Sequence, residues 1–398
     1  MKRIKILSLV ILVFVSYVLV SCSSFKNKVA TIMFAKKIGG SAAKISKPIV
    51  IPFELQRKHI IKVFPKFNDF EVECVFDTGG MTFLDSICAD KIGGKLEKIP
   101  GEDVKLLNIE KLTLGDAEVN NFNAIIINLR NLKKETGMIG SSFLKFFQTT
   151  IDYENKTITF DKPSKLKKKT PEDHLMKMKV IVPYFPTVKV KMNGKKVNGM
   201  IDTGLDSGFV LPVEMMSNLS EKERAKCIKA KKLFGWWPFT ENSENYYYVM
   251  PEIVIGDIKL ENVPVMYATL PTMNGNGKIL IGKNFLEEYL TILDFEHKQV
   301  LLRESRKLKR DYNFSTGIDV ILFERGFVLH GLWENSSADK AGLLVDDEIL
   351  KFDGFSSNEI SNSEIQERLS NPLFNNISLT IERDDNQIEI LINKEDLL

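Results

Sequence analysis

Glu73-Cys-Val-Phe-Asp77-Thr78-Gly79-Gly80-Met-Thr-Phe-Leu84 recurs further along the chain as Asn198-Gly-Met-Ile-Asp202-Thr203-Gly204-Leu205-Asp-Ser-Gly-Phe-Val210. Three more elements follow in the same order. Leu112-Thr-Leu-Gly115-Asp116 matches Ile253-Val-Ile-Gly256-Asp257, and Gly137-Met-Ile-Gly140-Ser-Ser-Phe-Leu144 matches Lys278-Ile-Leu-Ile-Gly282-Lys-Asn-Phe-Leu286. Ile151-Asp152-Tyr153 with Ile158-Thr-Phe160 matches Leu293-Asp294-Phe295 with Val300-Leu-Leu302. The offset is 125 from Asp77 to Asp202, 141 from Gly115 to Gly256, and 142 from Gly140 to Gly282 and from Asp152 to Asp294. One insertion of about 16 residues accounts for the shift. Four elements in register mark an internal duplication, and duplication sets the architecture before any motif is weighed.

The repeat also carries the chemistry. Asp77 and Asp202 each end an apolar, strand-like run and enter a Thr-Gly turn, where glycine permits a backbone that other residues resist. Two such loops related by a pseudo-twofold axis bring two carboxylates face to face. Carboxylates that close do not both ionise readily, so the pair shares a proton, one member acting as base toward a water and the other as acid toward a carbonyl. That apparatus hydrolyses a peptide bond without a metal or a covalent intermediate.

On these residues the chain resembles a two-lobed aspartic peptidase of the retropepsin-like kind, over roughly residues 46 to 305. The resemblance implies Asp77 and Asp202 as the catalytic dyad. It implies Thr78, Gly79, Thr203 and Gly204 as support of the two active-site loops, the threonine hydroxyls lacing them together. Met138-Ile139-Gly140 and Leu280-Ile281-Gly282 match the hydrophobic-hydrophobic-Gly element beneath each loop. Pepsin-like lobes usually carry Ser or Thr after the glycine; here Gly80 and Leu205 stand there, which fits the retropepsin-like branch and leaves the pH optimum open. A non-cleaving relative that keeps the cleft for peptide recognition is the alternative reading. Flaps are expected over such a cleft, and Lys91-Ile-Gly-Gly-Lys95 and Leu233-Phe-Gly-Trp-Trp-Pro-Phe239 are the candidates. Trp236, Trp237 and Tyr246-Tyr247-Tyr248 either line apolar subsites or pack as core.

Around the repeat, composition bounds what else the chain can be. Its 398 residues suggest two or three folded units, and 44% apolar with 27% charged residues is globular. Four scattered cysteines and four scattered histidines lack the clustering of a zinc site, so no metal and no cofactor is expected. Lys2, Arg3 and Lys5 precede fifteen uncharged residues, Ile6 to Val20, short for a spanning helix. Leu19-Val20-Ser21-Cys22 resembles a bacterial lipobox, which implies cleavage after residue 21, a lipid on Cys22 and a place in the cell envelope. An ordinary signal peptide or an uncleaved anchor is the other reading. The net charge of +3, from 55 basic and 52 acidic residues, leaves with those three basic residues, so no nucleic acid is expected as partner. Cys74 and Cys88 fall within one repeat and their pairing stays open.

After residue 311 the texture changes. Ser315-Thr-Gly317-Ile318, Gly326-Phe-Val-Leu-His330, Ser336-Ser-Ala338-Asp-Lys-Ala341-Gly342-Leu343 and Asp346-Asp-Glu-Ile349-Leu-Lys-Phe-Asp353-Gly354 follow in turn. That succession resembles a bacterial PDZ domain, which implies Gly317 and Ile318 as a carboxylate-binding loop beside which a peptide adds as a strand. The whole then reads as mainly β: signal peptide 1–21, tether 22–45, acid-protease lobes 46–165 and 172–305 forming a cleft, and a small β-rich α+β PDZ domain at 312–398. The expected partners are a polypeptide substrate, a C-terminal peptide at the PDZ unit and a membrane reached through Cys22. Because one chain supplies both aspartates, a monomer is expected.

Overall fold

A computed structural model describes residues 38, 40–56, 60–93, 95–98, 105–127, 136–181, 184–205, 207–232, 245–270, 278–305, 314–323, 326–345, 347–371 and 373–396. Cys22, the tether up to residue 37 and the 233–239 candidate flap lie outside them. The described chain is mainly β-strand, with a few helices of four to nine residues.

The two sequence repeats build the same strand arrangement. In the first, strand Cys74–Asp77 runs parallel to Gly137–Gly140, which pairs antiparallel on its other edge with Phe83–Asp85. In the second, Lys195–Ile201 runs parallel to Lys278–Ile281, which pairs antiparallel with Phe209–Pro212. Each outer strand then pairs parallel with one arm of a long hairpin: Phe83–Asp85 with Ala117–Ile127, and Phe209–Pro212 with Ile258–Ala268. The hairpins turn at Gly115-Asp116 and Gly256-Asp257, and both glycines have positive φ, 57° and 62°. Asp77 ends, and Asp202 directly follows, a strand paired on both edges, with Ile60–Val63 and Gly137–Gly140 in the first repeat and with Phe185–Met192 and Lys278–Ile281 in the second.

Strand Gly137–Gly140 has no room for side chains at its glycines. A Cβ on Gly140 would lie 2.4 Å from the Gly80 carbonyl oxygen, and one on Gly282 would lie 2.2 Å from that of Ser207. Beyond the two repeats, a six-stranded sheet takes Ile49–Pro52, Gln148–Asp152 and Thr157–Asp161 from the first and Asp173–Lys177, Tyr289–Asp294 and Gln299–Glu304 from the second, joined where Gln148–Asp152 pairs with Tyr289–Asp294. Arg303 clamps the buried Asp173 on this sheet, with Nε 2.7 Å from Oδ1 and Nη2 3.2 Å from Oδ2. A continuous apolar core, including Phe76, Phe143, Phe160, Ile201, Phe209 and Ile281, runs through both repeats.

Two sequence expectations need correction. The extra length of the second repeat is not one insertion. From Asp85 to Leu96 is 11 positions against 16 from Pro212 to Ile228, and from Lys98 to Lys105 is 7 against 13 from Lys232 to Asn245. Eleven of the 16 added positions fall on these two connections, five and six residues, and the rest are spread over the strands and loops around them. The candidate flap at 91–95 is also misplaced: Lys91 and Ile92 close helix Ser86–Ile92, whose N-cap Asp85 accepts from Ile87 N–H at 2.8 Å and which stops at Gly93 with φ 68°. Gly93 ends a helix.

After residue 314, strands Ile318–Phe323, Gly326–Trp333, Glu348–Phe352, Asn376–Arg383 and Asn386–Asn393 with helices Ser337–Lys340 and Asn362–Ser370 enclose a separate core of Val320, Leu329, Ala338, Leu343, Phe352, Ile365 and Leu379, among others. This unit is not free of the repeats. Strand Gly326–Trp333 pairs with Ile228–Lys232 of the second repeat, placing Trp333 opposite Ala230 and Leu332 opposite Lys232, and Glu334 N–H donates to the Lys229 carbonyl at 2.8 Å.

Candidate active site

The Asp-Thr-Gly loops of the two repeats meet. Thr78 N–H donates to Thr203 Oγ1 at 3.0 Å and Thr203 N–H to Thr78 Oγ1 at 3.1 Å. Each hydroxyl in turn donates across the pseudo-twofold axis, Thr78 to the Ile201 carbonyl at 2.8 Å and Thr203 to the Phe76 carbonyl at 3.3 Å. Both threonines are fully buried, so four polar groups that burial would otherwise leave unsatisfied are paired. The lock holds the two aspartate strands in fixed relation.

Above it the carboxyl groups of Asp77 and Asp202 are hydrogen-bonded to one another. Gly79 N–H donates to Asp77 Oδ1 at 2.7 Å, Gly204 N–H lies 3.3 Å from the same oxygen, and Gly204 N–H also reaches Asp202 Oδ1 at 3.1 Å. The close approach explains the glycines. An ideal Cβ on Gly79 would fall 2.4 Å from Asp202 Cγ, and one on Gly204 2.7 Å from Asp77 Cγ. Any side chain at either position would push the opposite carboxylate away.

Burial raises the pKa of both aspartates, and the two shifts differ in degree. Asp202 is pushed well above the usual carboxylate range, first by burial and then by the negative charge of Asp77. Asp77 rises less, because the hydrogen bond from Asp202 and the N–H groups of Gly79, Gly204 and Gly80 favour its charged form. Of the two, Asp202 is the one whose charged form is disfavoured more. Two adjacent carboxyl groups whose charged forms are disfavoured to different degrees can serve as general base and general acid.

The position after each glycine is finished differently. A Cβ on Gly80 would start 3.0 Å from Asp77 Oδ2 and 2.3 Å from Met138 Sδ, so the sulfur occupies the space a hydroxyl-bearing residue would take. Leu205, at the matching place, is buried in an apolar cluster. Residues 188–285 match the family model described as Aspartyl protease. The span similar to that family holds Asp202, Thr203, Gly204 and the Leu280-Ile281-Gly282 element; Asp77 lies outside it. No curated protein matches the chain.

Of the other residues singled out from sequence, Cys74 and Cys88 are buried and not joined in a disulfide, and Cys88 Sγ donates to the Thr136 carbonyl at 3.5 Å. Tyr248 is core and contacts Glu223 Oε1 through its hydroxyl at 3.4 Å, whereas Tyr247 packs edge-on to Trp333, ring centroids 4.4 Å apart. Gly317, with φ 80°, and Ile318 lie at the start of strand Ile318–Phe323, away from the dyad's hydrogen bonds; the Gly317 carbonyl accepts from Trp333 N–H at 2.8 Å. Sequence reasoning missed Lys283 and Tyr153. Lys283 stands where the first repeat has Ser141, is almost fully buried and pairs with Glu287. The Tyr153 hydroxyl is buried without a hydrogen-bond partner, and its pKa is raised by burial, then by the charges of Glu287, Asp202 and Asp77. The repeat register, set one residue past Gly140 and Gly282, was the signal that would have found Lys283.

Proposed function

We propose that the protein is an aspartic endopeptidase of the cell envelope, with two β lobes at 46–165 and 172–305 whose cleft is served by Asp77 and Asp202. The observation that carries this reading is the carboxyl pair of Asp77 and Asp202, brought face to face by interlocked loops and glycines that admit the opposite carboxylate; in this reading Asp202 holds the shared proton. Asp77 takes a proton from a water whose oxygen adds to the peptide carbonyl carbon, while Asp202 gives its proton to the carbonyl oxygen. Collapse of the resulting diol breaks the C–N bond and passes a proton to the leaving amine. Thr78 and Thr203 hold the loops, and Gly79 and Gly204 let the carboxyl groups approach.

In the same reading Cys22 carries the lipid that anchors the chain, and residues 312–398 form a PDZ domain that binds a polypeptide end beside Gly317 and Ile318. What supports that domain is its own core and its two-helix, strand-rich order; what supports the anchor is the sequence of the first 22 residues. The reading is tested with purified residues 23–398 and a diverse peptide library, assayed from acidic to neutral pH beside Asp77→Asn and Asp202→Asn. Cleavage by the parent and loss of at least about 10³-fold in each variant are expected. No cleavage by the parent, or cleavage that survives both substitutions, would leave the cleft a binding site. For the anchor, Cys22→Ser is expected to move the protein out of the membrane fraction.

A further inference from the structure

Met200, Leu205, Val210 and Leu280 form a face distinct from the main core. On strands Lys195–Ile201, Phe209–Pro212 and Lys278–Ile281 the alternate residues Ile201, Phe209, Ile279 and Ile281 point into that core, while Met200, Val210 and Leu280 point the other way. Met200 lies two residues before Asp202 and Leu205 three after it, so this apolar wall adjoins the carboxyl pair. Met81, from the loop after Asp77, packs against it as well. Such a wall beside a hydrolytic dyad is where an apolar side chain of a bound polypeptide would rest.

It is already occupied. Trp333, from the last residue of strand Gly326–Trp333 in the C-terminal unit, packs into this cluster with Phe185, Ala230, Met266 and Leu270 and is 6% exposed. Tyr247 meets its ring edge-on, its main chain is fixed by pairing with Ala230 and by the bond from its N–H to Gly317, and its carbonyl accepts from Ser336 Oγ at 2.7 Å. Under it Met200, Val210 and Leu280 are wholly buried. Of the matching residues of the first repeat, Val75 and Met138 are only half-buried, whereas Phe83, the counterpart of Val210, is buried.

We propose that Trp333 is a built-in occupant of the apolar wall on the Asp202 side, excluding large side chains of a bound polypeptide from that half of the cleft until it is displaced. This rests on the peptide-cleft reading above. An indole is large enough to fill a subsite, and because the C-terminal unit has its own core, its release gives up the pairing of Gly326–Trp333 with Ile228–Lys232 and leaves the strands that carry Asp202 in place.

The test uses an uncleavable peptide with a reduced-amide bond after a central Phe, and its Ala counterpart, titrated calorimetrically into the full chain and into Trp333→Ala. The Phe peptide is expected to bind the variant about tenfold or more tightly than the parent, with the Ala peptide little changed. Equal affinity for the Phe peptide, or no binding to a folded variant, overturns the proposal. Should Trp333→Ala fail to fold, Trp236→Phe/Trp237→Phe leaves Trp333 as the sole indole of the chain. Its emission is expected to shift to the red as the Phe peptide saturates, and unchanged emission overturns the proposal. Because both readouts are binding, they separate from the catalytic reading. Gain of binding without cleavage would remove the enzyme and keep the occupant, and cleavage with unchanged binding would do the reverse.

Discussion

Val75 and Met200 stand two residues before Asp77 and Asp202, on strands with the same neighbours and the same parallel register, yet Val75 is half-buried and Met200 wholly buried. Met138 and Leu280, paired with them across the parallel ladders, repeat the contrast. The backbones, the interlocked threonines and the glycines that admit the opposite carboxylate are shared between the two sides. The difference lies in what covers the wall: Phe185, Ala230, Met266 and Leu270 of the second repeat together with Trp333 of the C-terminal unit. A symmetric frame therefore holds two chemically alike carboxyl groups, and Trp333, which belongs to neither repeat, adds to what makes their surroundings unequal.

The sharpest way to break that comparison is truncation of the two walls. Met200→Ala removes a wholly buried side chain from under Trp333 and is expected to cost about 2–5 kcal/mol of unfolding free energy, whereas Val75→Ala should cost under about 1 kcal/mol. Urea unfolding of each reads the difference. A double-mutant cycle sharpens it further, since Trp333→Ala should couple to Met200→Ala by about 0.5–3 kcal/mol and not to Val75→Ala. Equal losses at both positions, or equal coupling, would mean that the two walls are covered alike.

A smaller effect is expected where the two sides are most alike. Thr78→Val and Thr203→Val each keep the shape and remove a hydroxyl that accepts one backbone N–H and donates to one carbonyl, leaving both groups buried and unpaired. A loss of about 1–3 kcal/mol is expected for each. Thr78 donates at 2.8 Å and Thr203 at 3.3 Å, so the first substitution should cost at least as much as the second. A chain indifferent to either would show that the loops are held by strand pairing alone.

Much of this was legible in the sequence because duplication writes a structural rule twice. Asp-Thr-Gly after apolar residues and the later Gly140 and Gly282 stay in order since each glycine meets a specific backbone or carboxylate, and nothing larger fits. Unequal neighbours were not legible. Trp333 lies 131 positions after Asp202, and its place in one apolar cluster with Met200 depends on an antiparallel pairing between Gly326–Trp333 and Ile228–Lys232 that no local pattern announces. The flap candidate at 91–95 failed for a related reason: a Gly-Gly pair reads as a loop, but Gly93 serves as a helix stop once Asp85 caps the start. The length difference between repeats was visible as a number, while its division, mostly over two connections, required the strands.

The last expectation concerns the proton that the two sides divide unequally. Asp202 has a folded pKa well above that of an exposed carboxyl, with burial as the larger cause and the charge of Asp77 as the next. In the unfolded chain the same group titrates near about 3.9. Between those values the native state binds more protons than the unfolded state, so stability falls as pH rises. The contribution is complete below about pH 3.9 and is lost as pH climbs toward the folded pKa of Asp202. Asn cannot ionise and does not carry this loss, so Asp202→Asn should melt higher relative to the parent at pH 7 than at pH 4. Asp77→Asn should show a shallower trend, since the N–H groups around Asp77 favour its charge. At the acid end the slope has the opposite sign and another source. Asp173, held down to about 2 by Arg303, stabilises the fold above the usual carboxylate range and loses that contribution as pH falls toward about 2, in the parent and in both Asn variants. Melting differences that stay flat from pH 4 to pH 7 in Asp202→Asn would mean that Asp202 ionises freely, and that the two sides of the dyad are equal after all.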